Sequence, residues 1–582
     1  MTSTVDAEVK EYIRKIALLN AILHDGKAQA QPVLGRLLAE QPDLKTRIRE
    51  VAPTIAEVIQ EVNKLSVEEQ RKILEQRWPE VLVKERVEEE RKLPPLPNVE
   101  RYERVVTRFS PNPDCVLHLG SARAIILCYE YARMHNGSFI LRFEDTDPKL
   151  KKPMLPFYDS IREDMRWLGC RWDAEFIQSD RLPIYYEHAE RLLKSGHAYV
   201  CVCRPEAFRE KVMAKQPCPC RDLTPDDHLV RWNHMLNGTY GEGEAAVRVK
   251  TELKHPNPAV RDWPALRIID TEKYPHPRTG SQYRVWPLYN LACGIDDNLM
   301  GVTHIIRGKE HLTNQVRQEY MYEHFGWKYP EAIHYGRMKI AGATLSKSKI
   351  LQGLKGGVFK HWDDPRLATF AALRRRGITP EAIRRLIIDV GPKPVDVVLS
   401  WENLYANNRK IIDPAANRYF FVQNPIQLIV KNIPRVFVAK LPLHPDHPKR
   451  GFRQFEIEPI EGEASFWASS DDMKVLETGK VTRFMGLFNI QVEKVEKYLI
   501  NAIFHSESYE EAKKMSAPLI HWIPVGADIP CEVIMPDAST MEGIAESHCK
   551  TLRPNQIIQF ERFGFIRVDN LNKKLTAYFA HR

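Results

Sequence analysis

The segment that best indicates the type of fold spans residues 105–143 and reads VVTRFSPNPDCVLHLGSARAIILCYEYARMHNGSFILRF. Its first residues are β-branched and aromatic and end at the proline-rich segment 110–113, which predicts a short strand followed by a loop. The largely apolar segment from Ser121 to about Met134 predicts a helix, and residues 139–143 predict a second strand. Strand, loop, helix and strand at this spacing predict a βαβ unit, the beginning of a parallel nucleotide-binding sheet.

The rest of the chain divides into regions of different pattern. Near the start, apolar residues recur at helical spacing, and Ser66 with Glu69 matches a capping box. Late in the chain, alternating Val, Ile and Phe with frequent turns predict β-barrels. The predicted fold is multidomain α/β, with an appended helical domain at 1–98, catalytic halves at 99–198 and 286–350, an inserted domain at 199–285, a helical linker at 351–415 and β-barrels at 416–582.

Composition places the chain among folded proteins. Hydrophobic residues make up 43% and charged residues 28% of the 582 residues, the profile of a soluble globular protein. The net charge of +9 is compatible with a polyanionic partner, although many enzymes without one share it. Residues 1–15 lack an apolar signal segment, no apolar run is long enough for a membrane span, and 10 cysteines are too few for a disulfide scaffold. A cytoplasmic protein is therefore expected.

Two short motifs carry residue types that suit phosphate chemistry. His118-Leu119-Gly120-Ser121 stands near the start of the predicted helix, where unpaired N–H groups and partial positive charge favour an anion. Much later, Leu345-Ser346-Lys347-Ser348-Lys349 places a lysine between two hydroxyls, a mobile charge for phosphate groups. Each motif alone is weak evidence, because a satisfied turn histidine or a solvated basic loop explains it equally simply.

Together, in this order around an interrupted βαβ sheet, the motifs resemble the two signatures of class I aminoacyl-tRNA synthetases. Neighbouring segments narrow the resemblance to the glutamyl-tRNA synthetase family of the archaeal type, from about residue 100 onward. These segments lie at 108–113, 141–148, 297–304 and 362–367. Two positions depart from the family pattern: Ser121 replaces a second histidine and Thr344 replaces a leading lysine. Lys347 is therefore expected to be the main cation of the second signature.

The resemblance implies a ligase that converts ATP and glutamate into glutamyl-adenylate and pyrophosphate. The glutamyl group would then pass to the 3′ end of tRNA(Glu), with tRNA(Gln) as an open second acceptor. The implied catalytic residues are His118 and Lys347, which stabilise negative charge on the ATP phosphates with the help of Mg²⁺. The implied ATP site comprises His118, Gly120, Ser121, Ser346, Lys347 and Ser348. The implied enzyme is a monomer that does not associate with membranes.

The same resemblance implies a glutamate site. The matching positions are Arg108, Ser110, Glu144, Tyr289 and Arg307. Glu144 would pair with the substrate ammonium, and the two arginines with the side-chain carboxylate. The alternative is that Arg108 and Glu144 only form a salt bridge between adjacent strand ends.

Four of the cysteines fall within residues 201–220, namely Cys201, Cys203, Cys218 and Cys220. Two Cys-x-Cys pairs can complete a tetrahedral Zn²⁺ site, and the alternative is a set of reduced structural cysteines. The family includes zinc binders in this insertion, though not uniformly. It also places the insertion against the tRNA acceptor end and the C-terminal barrels against the anticodon. The basic run 374–376 would contact phosphates of the tRNA stem, although such runs are more often solvated helix faces.

Three other functions are the alternatives. Glutaminyl-tRNA synthetases carry a neutral residue where this chain has Arg307, and Asp-Asp-Thr-Asn where it has residues 144–147. A catalytically silent tRNA-binding paralogue fits Thr344 and Ser121 but not the retained His118, Gly120 and Lys347. An enzyme that glutamylates a modified base lacks the anticodon-binding half, so the β-rich C-terminal region disfavours it. Glutamate is the predicted substrate.

Overall fold

The computed structural model describes residues 7–23, 26–78, 92–342 and 346–582. The chain forms two compact units, one within residues 1–91 and the other within 92–582. Thr344 and Leu345 of the second signature lie outside the described residues. Over the described ranges, no helix has the length and apolar character needed to cross a membrane.

The first unit consists of helices packed on one apolar core. They span Ala7–Leu23, Ala30–Glu40, Ile48–Val62 and Val67–Arg77, with a 3-10 turn at Pro42–Arg47. The apolar residues that recur at helical spacing face inward, as Ile13 and Val58 show by being fully buried. The capping box is confirmed, because Ser66 Oγ accepts from the backbone N of Glu69 while the Glu69 carboxylate accepts from the backbone N of Ser66.

The second unit alternates helix and strand in its first part and is mainly β-structure after residue 418. Its helices are Leu119–Met134, Leu155–Trp167, Leu182–Lys194, Pro205–Met213, Pro225–Asn237, Tyr289–Leu299, Leu312–Phe325, Lys347–Lys355, Phe370–Arg376, Pro380–Val390, Trp401–Ile412 and Tyr509–Lys514. Its 3-10 turns are Val99–Arg101, Gln178–Arg181, Lys309–His311, Pro448–Arg450, Ser470–Lys474 and Ser547–Thr551.

The strands of this unit are numbered in chain order. The first are β1 (Val106–Phe109), β2 (Ser138–Phe143), β3 (Ala174–Ile177), β4 (Ala198–Cys201), β5 (Ala246–Val249), β6 (Pro264–Ile268), β7 (Val285–Pro287), β8 (His304–Gly308), β9 (Glu331–Tyr335), β10 (Met338–Ile340) and β11 (Val397–Leu399). The next are β12 (Arg418–Tyr419), β13 (Phe421–Gln423), β14 (Pro425–Lys431), β15 (Phe437–Pro442), β16 (Phe452–Ile457), β17 (Ala464–Ser469), β18 (Val481–Phe484) and β19 (Asn489–Val495). The last are β20 (Leu499–Ser506), β21 (Leu519–Ile520), β22 (Ile523–Pro524), β23 (Asp528–Ile534), β24 (Thr540–Glu546), β25 (Ile557–Phe560), β26 (Gly564–Leu571) and β27 (Leu575–His581).

A parallel sheet forms the catalytic core. Strands β1, β2 and β3 pair in parallel, as do β8 and β9. Thr303 donates from its backbone N to the carbonyl of Val106 at 3.0 Å, which places β8 beside β1 and gives the order β3-β2-β1-β8-β9. The helix Leu119–Met134 connects β1 to β2, so the βαβ unit is confirmed. This helix begins before the predicted Ser121, because His118 is its N-cap residue.

The segment between β3 and β8 adds an antiparallel sheet in the order β4-β5-β6-β7. Its core contains Trp232, Trp263 and Trp286, each no more than 1% exposed. A buried contact joins this sheet to the catalytic core, since His276 Nε2 donates to the carbonyl of Asp145 at 3.0 Å. The insertion is thereby anchored beside the end of β2. The exact domain limits stay predictions.

The C-terminal region contains two seven-stranded sheets. Their orders are β12-β25-β26-β27-β23-β24-β13 and β21-β18-β19-β20-β14-β17-β22. In each sheet the two outermost strands, β12 with β13 and β21 with β22, are close neighbours in the sequence. Each sheet must therefore curl until its edges approach one another. The predicted β-barrels are curled sheets, or half-barrels.

The basic run 374–376 ends the helix Phe370–Arg376, and its last arginine is buried. Arg376 is only 2% exposed and donates from Nη2 to the carbonyl of Ala580 at 3.0 Å. The prediction that this run contacts tRNA phosphates is wrong for Arg376, because its guanidinium is buried against β27. The other two arginines form ion pairs, Arg374 with Glu163 and Arg375 with Asp363 and Asp569.

Candidate active site

The predicted glutamate-site residues meet at the carboxyl ends of the parallel strands. Arg108 lies near the end of β1, Glu144 directly follows β2, and Arg307 lies near the end of β8. The strand order reverses direction between β1 and β8, which is where open α/β sheets bind ligands. Tyr289 begins the helix Tyr289–Leu299 rather than lying on a strand, yet its hydroxyl lies 3.3 Å from Nη1 of Arg307.

Arg108 is held by an aspartate that sequence reasoning did not assign to the site. Its Nε and Nη2 donate to the two carboxylate oxygens of Asp297 at 3.0 and 3.2 Å, a fork geometry that fixes the guanidinium. Arg142 donates from Nη1 to the same carboxylate at 2.8 Å. Burial acts to raise the pKa of Asp297, but attraction to Arg108 and Arg142 outweighs it and holds that pKa well below its usual range.

Glu144 is also held from inside the protein. Arg142 Nη2 donates to Glu144 Oε1 at 3.1 Å, and the Glu144 side chain is 14% exposed. Burial raises the pKa of Glu144, while Arg142 and Arg108 act in the opposite direction. Arg108 and Glu144 therefore do not form the simple strand-end salt bridge with each other, because each has a different partner.

Arg307 differs from the other two arginines because its partners are neutral. Arg307 is 5% exposed. Among the described residues, no carboxylate is one of the groups that act most strongly on the pKa of Arg307. Burial and the neighbouring Arg307 lower the pKa of His334 to about 4, so this imidazole is neutral at pH 7. The hydrogen-bond partners of Arg307 are Gln318 Oε1 at 3.1 Å, Tyr289 OH at 3.3 Å, Tyr329 OH at 2.9 Å and His334 Nε2 at 3.5 Å.

The charges around this pocket do not balance. Among the side chains described above, the charged groups are the guanidiniums of Arg108, Arg142 and Arg307 and the carboxylates of Asp297 and Glu144. A further carboxylate behind them, Asp296, is matched by Arg181 at 2.9 Å. One positive charge remains in excess, and it lies on Arg307. The pocket thus complements a ligand with one excess negative charge and a carboxylate that reaches Arg307.

The loop after β1 presents polar atoms without partners. Within the described part of the chain, Ser110 Oγ, Asn112 Oδ1 and His118 Nδ1 are buried and make no hydrogen bond. Such atoms cost free energy unless a ligand or water satisfies them. Burial lowers the pKa of His118, which favours its neutral form. His118 caps the helix whose first turn contains Gly120 and Ser121, so the loop and helix start form a polar cradle.

The second signature lies against this loop. Lys347 Nζ forms an ion pair with Asp114, which lies between β1 and His118. Ser346 is the N-cap residue of the helix Lys347–Lys355, and its Oγ lies 3.0 Å from Ser348 Oγ. The described residues of this signature therefore begin a helix rather than form a loop. The structure brings the two signatures together at the same edge of the sheet.

Sequence reasoning missed several residues of this site. Asp297 and Arg142 lie in segments that carry the family resemblance, and an adjacent pair of aspartates in the otherwise uncharged helix Tyr289–Leu299 is a usable signal of a buried ion pair. Gln318 and Tyr329 gave no signal, because nothing local distinguishes them from other polar residues. The packing of distant segments brings them to Arg307.

The four cysteines of the insertion converge at the end of β4. Their sulfur atoms all lie within 4.8 Å of one another. Cys201 Sγ lies 3.9 Å from Cys218 Sγ, and Cys203 Sγ lies 3.8 Å from Cys220 Sγ. Tetrahedral Zn²⁺ with four thiolates at about 2.3 Å requires sulfur separations of about 3.8 Å. The donor set and its spacing therefore fit a structural zinc ion.

Comparison with known families agrees with this fold. Residues 104–414 match the catalytic domain of tRNA synthetases class I (E and Q). Residues 416–505 and 519–569 match two anti-codon binding domains of the same family. The chain belongs to the class I tRNA synthetases of the E and Q type.

The similar curated relatives carry one common name. Glutamate–tRNA ligase from Pyrococcus furiosus is 52% identical over 582 residues, covering 99% of this chain and 100% of that protein. Glutamate–tRNA ligase from Thermococcus kodakarensis is 52% identical over 581 residues, with the same coverage. Glutamate–tRNA ligase from Hyperthermus butylicus is 44% identical, covering 97% of this chain and 100% of that protein. The similarity thus extends over both compact units.

Proposed function

We propose that this chain is a glutamate–tRNA ligase that forms glutamyl-adenylate from ATP and glutamate and transfers the glutamyl group to tRNA(Glu). The observation that carries the proposal is the buried Arg307, whose partners are neutral and whose charge is left for a ligand. Glutamate has one excess negative charge and a side-chain carboxylate, whereas glutamine has neither. Selection of glutamate over glutamine follows from that difference.

Within this proposal, the pocket holds glutamate at both ends. Arg307 binds the side-chain carboxylate, assisted by the hydroxyl of Tyr289. Glu144 attracts the ammonium group and Ser110 donates a hydrogen bond. Arg108 is fixed by Asp297, so it adds positive potential from a rigid position rather than moving to meet the substrate. Preorganised charges of this kind stabilise a ligand without reorganisation on binding.

The phosphate groups of ATP lie, in this proposal, between the two signatures. The α-carboxylate of glutamate attacks the α-phosphorus of ATP, the bond from that phosphorus to the bridging oxygen of the β-phosphate breaks, and pyrophosphate leaves. His118, Gly120 and Ser121 contact the phosphates at the helix start, and Ser346, Lys347 and Ser348 approach from the other side. Lys347 leaves Asp114 to neutralise the charge that develops on the phosphates. ATP enters as its Mg²⁺ complex, so the magnesium belongs to the substrate.

The tRNA is proposed to extend along the second unit. The acceptor end contacts the insertion beside the site, and the anticodon contacts the two curled sheets, where single-stranded bases stack and expose their edges. Whether tRNA(Gln) is a second acceptor depends on how these sheets read the anticodon, and charging of both tRNAs tests it.

Aminoacylation with purified tRNAs for glutamate and for glutamine, each tested with both amino acids, examines the proposal. We expect transfer of glutamate to tRNA(Glu). The assay with tRNA(Gln) shows whether tRNA(Gln) is charged as well. Preferential transfer of glutamine to tRNA(Gln) would identify a glutaminyl enzyme instead. Binding of tRNA without any adenylate formation would identify a catalytically silent paralogue.

We also propose that Cys201, Cys203, Cys218 and Cys220 bind one structural Zn²⁺. The ion would hold the end of β4 against the following turn and keep the insertion folded. Elemental analysis of protein purified without chelator should find about one equivalent of zinc per chain. A Cys220→Ser variant should contain less metal and should unfold at a lower temperature, whereas Cys170→Ser outside the cluster should retain the metal. Metal-free protein with four titratable thiols at these positions would exclude the site.

A further inference from the structure

Gln318 is the residue that positions Arg307 from inside the protein. It lies on the helix Leu312–Phe325 and is fully buried. Its Oε1 accepts from Arg307 Nη1 at 3.1 Å and from the hydroxyl of Tyr329 at 2.8 Å. Tyr329 OH in turn lies 2.9 Å from Arg307 Nη2. The amide, the phenol and the guanidinium therefore form a closed group of hydrogen bonds.

The orientation of the Gln318 amide is determined by this group. A guanidinium has donors and no acceptor, so the oxygen of the amide must face Arg307. The Nε2 atom points away and has no hydrogen-bond partner among the described residues. Close helix packing restricts the side chain further, because a Cβ added to Gly294 would lie 3.6 Å from Gln318 Cγ. The amide has little freedom to leave Arg307.

A carboxylate would satisfy the same donors better than an amide does. Hydrogen bonds to an ionised acceptor are roughly twice as strong as neutral ones, and glutamate has nearly the same shape as glutamine. A carboxylate here would, however, pair with Arg307 and cancel the one excess positive charge of the pocket. The neutral amide fixes the guanidinium and leaves its charge available.

We propose that Gln318 is a specificity-determining positioning residue, a neutral acceptor that orients Arg307 without neutralising it. The inference rests on the proposed function, in which Arg307 binds the substrate carboxylate. It goes beyond that function because it assigns the choice of glutamate over glutamine partly to a residue that does not touch the substrate. Gln318 would support selectivity by holding Arg307 in place while leaving its charge uncompensated.

Gln318→Glu and Gln318→Met separate charge from shape. Both keep the length of the side chain, but only the first introduces a negative charge. ATP–pyrophosphate exchange with tRNA present should be measured for each variant with varied glutamate and varied glutamine. For Gln318→Glu we expect kcat/KM with glutamate to fall about 30-fold or more, because the new carboxylate pairs with Arg307. This is about the lower end of the loss that follows when a buried charge pair is broken. The kcat/KM with glutamine should change by less than about threefold, because glutamine brings no charge to Arg307. For Gln318→Met we expect a smaller loss with glutamate and a smaller shift of the ratio, because Arg307 keeps its charge but loses one acceptor that orients it.

The ratio of the two kcat/KM values is the deciding measurement, since general damage to the fold lowers both alike. Gln318→Asp provides a second acidic variant should Gln318→Glu not fold, and it should shift the ratio in the same direction. An unchanged ratio in a folded acidic variant would overturn the inference, as would an equal shift of the ratio in Gln318→Met. Wild-type protein that does not use glutamate would instead overturn the proposed function, so the two failures are distinguishable.

Discussion

Replacing Arg307 with cysteine should lower kcat/KM for glutamate by about 30-fold to several-thousand-fold, corresponding to about 2–5 kcal/mol for loss of a buried charge pair. The physical reason is that Arg307, unlike Arg108 and Arg142 in the same site, is buried among partners that are all neutral. Without it, the substrate carboxylate would lose its direct partner and would meet only the more distant charge of Arg108. Steady-state ATP–pyrophosphate exchange with varied glutamate measures the effect.

Glutamine is the control for this substitution. It brings no negative charge to Arg307, so binding it leaves the guanidinium desolvated and poorly paired. Its kcat/KM should fall far less than that of glutamate or should rise, although Arg108 still favours a carboxylate and full conversion is not expected. Arg307→Lys is a matched variant that keeps the charge but cannot form the two parallel hydrogen bonds of a guanidinium. Its loss of kcat/KM with glutamate should be intermediate. Equal losses for glutamate and glutamine in Arg307→Cys would mean that this residue does not select the substrate.

Lys347→Ala should reduce the rate of adenylate formation by about 30-fold to 1,000-fold, or about 2–4 kcal/mol of transition-state stabilisation, the scale for losing one preorganised electrostatic donor. The ammonium group already lies beside the loop after β1, where the phosphates are proposed to bind, through its ion pair with Asp114. The KM for glutamate should change little, because the lysine acts on the phosphates. Single-turnover measurement of adenylate formation tests the prediction.

Lys349 provides the matched control for Lys347. It lies two residues further along the same helix, is exposed and has no assigned role in the site. Lys349→Ala should therefore leave adenylate formation within about threefold of the wild-type rate, as for most surface substitutions. Unchanged activation in Lys347→Ala would remove this lysine from the catalytic residues, and equal losses in both variants would indicate a general effect of basic charge.

Local patterns were sufficient to predict the catalytic sheet. The strand–helix–strand signal at residues 105–143 depends on neighbours in the sequence, and the helix start differs by only two residues because His118 caps it. The C-terminal strands were predictable from alternation for the same reason. The extent of their closure was not, because the half-barrel form depends on which distant strands pair.

The candidate site was predictable in its residue types but not in its connections. Arg108, Glu144 and Arg307 could be proposed from the family resemblance, and the structure places them at one sheet edge. That Arg108 is held by Asp297, while Arg307 is held by neutral groups, follows from helix packing across many residues. The error at Arg376 has the same origin, because its burial depends on β27, far along the chain.

The order of strands in the first curled sheet has a consequence for the timing of folding. Strand β27 lies between β26 and β23 in the middle of that sheet, yet it follows both of them in the chain. During synthesis the sheet therefore stays divided until β27 leaves the ribosome. The same strand accepts the hydrogen bond from Arg376, so this contact between the helical linker and the sheet forms only at that moment. Nascent chains that stall before β27 would hold a formed catalytic sheet and a formed second curled sheet, but their first curled sheet would stay divided and exposed to proteolysis.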